Sequence, residues 1–416
     1  SAECSFIGGG FENLNEGGFS SILGGSCHCI HTTCDGAFIL GGLRNEVSGS
    51  TYGAILGGGG NIVKNAVSGF IGVGVSNCVT GQLSSIVGGI YNTASAECSF
   101  IGGGSSNFIS SPYSHNKFDI IVGGDNNTIS NTYCSCNSTI VGGKDNSMSN
   151  SYGQFRFIGG GCCNCIDGYY SLGVIVGGKS NTLAGSSQGG FIGGGTSNSV
   201  CYNGNIVGGV CNFECGQHGF IGAGKNNSIS GYNHCEGVIV GGCCNTISGA
   251  YCKQSFIGGG CQNLIGNAHN AVIVGGTFNT ASDAYSFIGG GTCNVASANS
   301  ATVVGGVLNT ALGICSFIGG GNFNIVGGIG SVIAGGLTNC TLGDVATIAG
   351  GQRNCITGVA ATIAGGYSNT GSGACSFIGG GTVNYTVGIN SSIGGGTLNT
   401  ASGTCSFIGG GACNTV

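Results

Sequence analysis

Tryptophan is absent from this 416-residue chain, and proline and methionine occur once each, at Pro112 and Met148. Charged residues make up only 6%, against roughly 25% in an ordinary soluble domain. Each shortage excludes something. With one proline and no Gly-X-Y period, the 94 glycines cannot form a collagen helix. A net charge of −5 without clustered Lys or Arg offers nothing to a phosphate backbone, so nucleic acid is not an expected partner. No apolar run approaches the ~18 residues of a membrane-spanning helix. An initiator Met and a signal peptide are also missing. The chain opens inside one repeat, SAECSFIGGG, and stops inside another, FIGGGACNTV, which fits a processed product or part of a longer chain.

What is abundant is glycine, isoleucine, asparagine and cysteine. Hydrophobic residues at 41% are too many for a disordered low-complexity chain. The opening decapeptide recurs unchanged at 95–104. Aligning the chain on Gly, then Asn three residues later, gives about 26 units of ~15–16 residues, with His28 as the sole substitute for the Asn. From Asn279 the spacing is a strict 15, through Asn294, Asn309, Asn324, Asn339 and Asn354 to the end; between Asn107 and Asn263 it varies from 14 to 20. Six residues before the Asn stands an Ile (Ile273, Ile288, Ile318, Ile333), replaced once, by Val303. Four to six apolar residues followed by Gly and Asn make a short strand and a tight turn, and glycine at this density cripples helices.

A 15-residue unit cannot bury its own Ile, but copies stacked in register can, each buried Ile contributing roughly 1.5–3 kcal/mol. The expected fold is therefore all-β: a parallel β-solenoid forming one continuous domain over residues 1–416. Glycine would supply positive φ at a corner and let walls approach. Asn would also accept the left-handed conformation, bond to backbone and stack amide on amide. FIGGG-type strands alternate with VIVGG-type ones between 157 and 321. That leaves two windings open, one unit per coil or two. In the first, the outward Phe face would need cover from another subunit.

Stretches such as NTASGTCSFIGGG (399–411) and SSIGGGTLNTASG (391–403) resemble the head repeats of trimeric autotransporter adhesins. The resemblance is one of periodicity and spans nearly the whole chain. It implies a parallel β-roll, trimeric assembly and a role as a surface adhesin.

The 26 cysteines lack the regular Cys-x-x-Cys pairs of zinc ribbons, and an extracellular, oxidising setting fits them better. Neighbouring coils bring equivalent Cα atoms ~4.8 Å apart, within bridging range. One unit per coil would pair Cys340 with Cys355, Cys201 with Cys215, Cys243 with Cys261, and Cys235 with Cys252. Two units per coil would instead pair Cys375 with Cys405 and Cys211 with Cys244. Two dense clusters, Cys27–His28–Cys29–His31–Cys34 and Cys162–Cys163–Cys165, read as disulfides or loop thiols before they read as metal sites. The six His are expected in solvated loops, and no catalytic constellation, cofactor site or resident metal is expected. Tyr113, Tyr133, Tyr152, Tyr170, Tyr232, Tyr251 and Tyr285 fall five or six residues after their Asn, as stacked turn aromatics or as a surface-binding stripe.

These readings favour a non-enzymatic, extracellular or surface structural protein whose main partner is itself. It would stack head to tail or laterally, with disulfide reinforcement, into a fibre, sheath or surface layer. The alternative is an adhesin or fibre head binding glycan or a host surface through the Tyr-bearing loops. A minor alternative is an ice-binding solenoid, for which the Thr residues are too irregular.

Overall fold

The computed structural model describes residues 3–111, 118–131, 137–150, 154–168, 172–185, 189–231, 236–249 and 253–416. The described residues form 51 short strands, most of two residues, and no helix. The chain divides into two compact units, Ser1–Cys211 and Asn212–Val416. Each is a parallel β-solenoid of the same repeat.

Every turn contributes to three parallel ladders. In the second unit, Phe287–Ile288 pairs with Thr302–Val303, which pairs with Phe317–Ile318. A second ladder runs through Thr280–Ala281, Val295–Ala296 and Thr310–Ala311. A third consists of single bridges, Thr277 to Thr292 to Val307. The first unit repeats the scheme, with Phe70–Ile71, Ser85–Ile86 and Phe100–Ile101 in one ladder. One repeat is therefore one coil. The two-unit winding is excluded because FIGGG-type and VIVGG-type strands are hydrogen-bonded neighbours rather than opposite walls of one turn.

The second residue of each strand points inward. Ile273, Ile288, Ile318 and Ile333 are completely buried, and so are Ala281, Ala296 and Ala311 of the second ladder. Phe and Val alternate outside. At Gly289 an added Cβ would lie 2.4 Å from the carbonyl oxygen of Val304 on the next turn and 3.5 Å from the Phe287 ring. At Gly289 the neighbouring carbonyl and ring thus leave room only for glycine, whereas the turn of Phe38 carries Leu40, so the trade of bulk between the two positions is a tendency and not a rule.

The buried Asn column is the polar spine. The amide N–H of Asn294 donates to Asn279 Oδ1 (2.9 Å), and its Nδ2 donates to the carbonyls of Gly290 and Gly306 (both 2.9 Å). Asn309 N donates in turn to Asn294 Oδ1 (3.0 Å). Side-chain amides also meet directly, as where Asn324 Nδ2 donates to Asn309 Oδ1 (3.0 Å). Each Asn so closes its own turn and ties it to both neighbours. One expectation is corrected: these Asn are not the left-handed residues. The residue just before each one is, whatever its type, as at Phe278 (φ 57), Cys293 (φ 55), Leu308 (φ 55), Thr338 (φ 58) and Arg353 (φ 57). There the side chain points to solvent, and the column of hydrogen bonds compensates the strain of a bulky residue at positive φ.

Turn length varies without disturbing the ladders. Asn127 N still donates to Asn107 Oδ1 at 3.0 Å although 20 residues separate them.

Candidate functional site

Cysteines on equivalent positions of adjacent turns are brought together as the one-unit winding requires. Cys340 and Cys355 are register partners. A hydrogen bond between the two thiols holds Cys355 down at about 7 and pushes Cys340 up. Cys243 and Cys261 are bridge partners in the third ladder. Cys201 lies in the first compact unit and Cys215 in the second. Cys235 and Cys252 lie outside the described residues. The pairs of the alternative winding do not form. Asn390 occupies the turn between Cys375 and Cys405 in the same left-handed column. Cys244 has Asn226 as its neighbour one turn back, with Nδ2 4.0 Å from Sγ, so Cys211 is not its adjacent-turn partner. Cys243, Cys261, Cys340 and Cys355 are free thiols in this structure.

The first Cys/His cluster disperses over different faces. His28 occupies the Asn column, fully buried, and so departs from the solvated-loop expectation. Its backbone N donates to Asn13 Oδ1 (3.0 Å), and its Nδ1 accepts from Asn45 N (3.1 Å). Burial lowers its basicity. Cys34 is interior, its thiol donating to the Val47 carbonyl (3.4 Å). On the outer surface His31 Nε2 lies 3.5 Å from Cys29 Sγ and 3.1 Å from Glu46 Oε1. Both partners crowd one ring nitrogen, so the carboxylate cannot orient the imidazole from its far side as a nucleophile–base pair requires. Burial, then Glu46, push the Cys29 thiol up rather than activating it.

The second cluster behaves differently. Cys162 Sγ and Cys163 Sγ approach to 2.9 Å. Asp145, on the preceding turn, completes a group whose ligand atoms all lie within 4.8 Å of one another, the one such group among the described residues. Cys165 is not part of it; burial and Asp167 push its thiol up. Sequence reading misses Asp145 because it stands a full turn away, although counting one turn back along the Asn column locates it.

Of the seven tyrosines, Tyr113, Tyr133, Tyr152, Tyr170, Tyr232 and Tyr251 lie outside the described residues; Tyr285 is exposed, at positive φ (58). Another exposed feature, among the described residues, is apolar. In the second unit Phe220, Phe317 and Phe377 open their strands and Val240, Val274 and Val304 stand one residue past the end of theirs, and all six leave more than a third of their surface to solvent. No helix among the described residues is long and apolar enough to cross a membrane.

No protein-family model matches the chain, and no curated protein matches it at a significant level.

Proposed function

We propose that the chain is a non-enzymatic structural protein of an extracellular or surface layer, assembling with copies of itself. The exposed Phe/Val face carries this reading. It recurs turn by turn along the ladder that the turns extend, so two copies can register side by side turn for turn. Scarce charge removes the usual electrostatic guard against such association. The resemblance to adhesin heads, which pack β-rolls into trimers, supports the same lateral mode. Adjacent-turn pairs such as Cys340 and Cys355 would lock each coil, and exposed cysteines without an adjacent-turn partner, such as Cys375 and Cys405, would link copies into the fibre, sheath or layer under oxidising conditions.

The test is electron microscopy of the untreated full chain, with and without reductant, beside a variant carrying Val240→Lys, Val274→Lys and Val304→Lys. Filaments or sheets that resist denaturant, dissolve in thiol and are abolished by the three lysines are expected. Uniform short particles in both proteins would refute the reading and favour a discrete adhesin head.

A further inference from the structure

The chain carries vicinal cysteines in the same turn position twice, at Cys162–Cys163 and Cys243–Cys244, each pair following Gly-Gly and preceding a ladder Asn. In both, the second cysteine is left-handed (φ 59 and 57), which swings its thiol alongside the first, Sγ to Sγ 2.9 and 3.3 Å. The two differ in their neighbours: the turn after Cys162 carries Lys179 and the turn after Cys243 carries Cys261, whose thiol does not close to within 4.8 Å of both cysteines of its pair. One turn back from Cys163 stands Asp145; one turn back from Cys244 stands Asn226. Asn126 Nδ2 donates to Asp145 Oδ1 at 2.7 Å and orients that carboxylate. Lysines occupy the turns on both sides of Cys162 in its own column, Lys144 and Lys179.

We propose that Asp145, Cys162 and Cys163 form a binding site for a thiophilic divalent cation of the zinc class. Two thiolates and a carboxylate are a normal donor set for such an ion, with water completing a tetrahedron. Tetrahedral Zn–S bonds place two sulfurs roughly 3.8 Å apart, so a small opening of the cysteine rotamers accommodates the ion. Binding converts two thiols and one carboxylate into a complex of net charge −1 and releases two protons. Lys144, held by Asp125 at 3.3 Å, and Lys179 flank that charge. Because Cys243–Cys244 presents the dithiol without the carboxylate, the molecule contains its own control. The site is independent of the assembly reading.

The experiment uses the reduced full chain, Zn2+ as the probe, and alkylation mapped by mass spectrometry, cysteine by cysteine. With one equivalent of Zn2+, alkylation of Cys162 and Cys163 should slow at least about tenfold, before Cys243 and Cys244 are protected. Asp145→Asn, compatible with the left-handed backbone there, should reduce the first pair to the behaviour of the second. Asn226→Asp should raise the second pair to the behaviour of the first. Equal protection of both pairs, no effect of Asp145→Asn, or a Cys162–Cys163 disulfide in the untreated protein would overturn the proposal.

Discussion

Asp119 and Arg156 stand in one interior column two turns apart, with Ser138 between them and Asn131 joining them. Asp119 accepts from Ser138 N (3.0 Å) and Asn131 Nδ2 (2.8 Å). Arg156 Nη2 donates to Ser138 Oγ (3.1 Å) and to Asn131 Oδ1. Burial pushes the Asp119 carboxyl up and brings the guanidinium down to about 10, while each charge opposes the shift of the other. Removing one partner strands the other. Arg156→Met should destabilise the first unit by roughly 3–5 kcal/mol. The double replacement Asp119→Ser with Arg156→Ser, which restores the column's usual residue, should recover most of that loss. Hydrogen exchange of the ladder amides at Ile121 and Ile140 reads the difference locally. Additive losses would disprove the coupling.

His28→Asn should stabilise. His28 reproduces the acceptor half of the Asn column through Nδ1, but its buried Nε2 makes no well-formed hydrogen bond. The equivalent Asn45 donates to Gly41 and Gly58 carbonyls at 3.0 and 3.1 Å. Two recovered bonds at about 1 kcal/mol each should raise the melting temperature, which calorimetry measures.

Glu214 should make the second unit sensitive to alkali. It occupies an inward position beside Ile229 and is completely buried, with one oxygen accepting from Gly216 N (2.9 Å) and the other unpaired. Burial raises its carboxyl to about 8, against backbone donation from Gly216 and Gly219. The unfolded chain releases this proton near the ordinary value of 4.5 while the folded chain retains it. Its contribution to stability is therefore complete below that value and declines as pH rises to about 8. Denaturant titrations between acid and mildly alkaline pH should show this decline in the wild type and a flatter profile in Glu214→Gln.

Adjacent glycines should differ sharply. A Cβ on Gly290 meets nothing within 4 Å, whereas on Gly291 (φ +91) it would lie 2.1 Å from the Gly306 carbonyl oxygen. Gly290→Ala should change the melting temperature little. Gly291→Ala should cost several-fold more, since both conformation and space forbid it.

Much of this was legible in the residues. Ile and Asn at a fixed interval dictate stacked strands and an amide ladder because no other arrangement hides both. The winding was not, since alternation of Phe and Val looks the same within a coil as between coils; only the pairing of successive strands, as of Phe287–Ile288 with Thr302–Val303, separates them. Nor was the left-handed column, because Phe278, Leu308 and Arg353 share no propensity for it, and the neighbouring turns impose it. At the candidate metal site the vicinal cysteines were visible together, whereas Asp145 stands a full turn away, and only the shared place just before Asn146 and Asn164 puts it in the column of Cys163.

The indifference of the Asn107–Asn127 contact to the 20 residues between them has a practical side. A corner that tolerates extra length while the interior keeps step is a mounting point. A foreign epitope spliced between Ser111 and Asp119 should leave the stack intact, and the same splice at successive corners would display guests at the regular pitch of the coil.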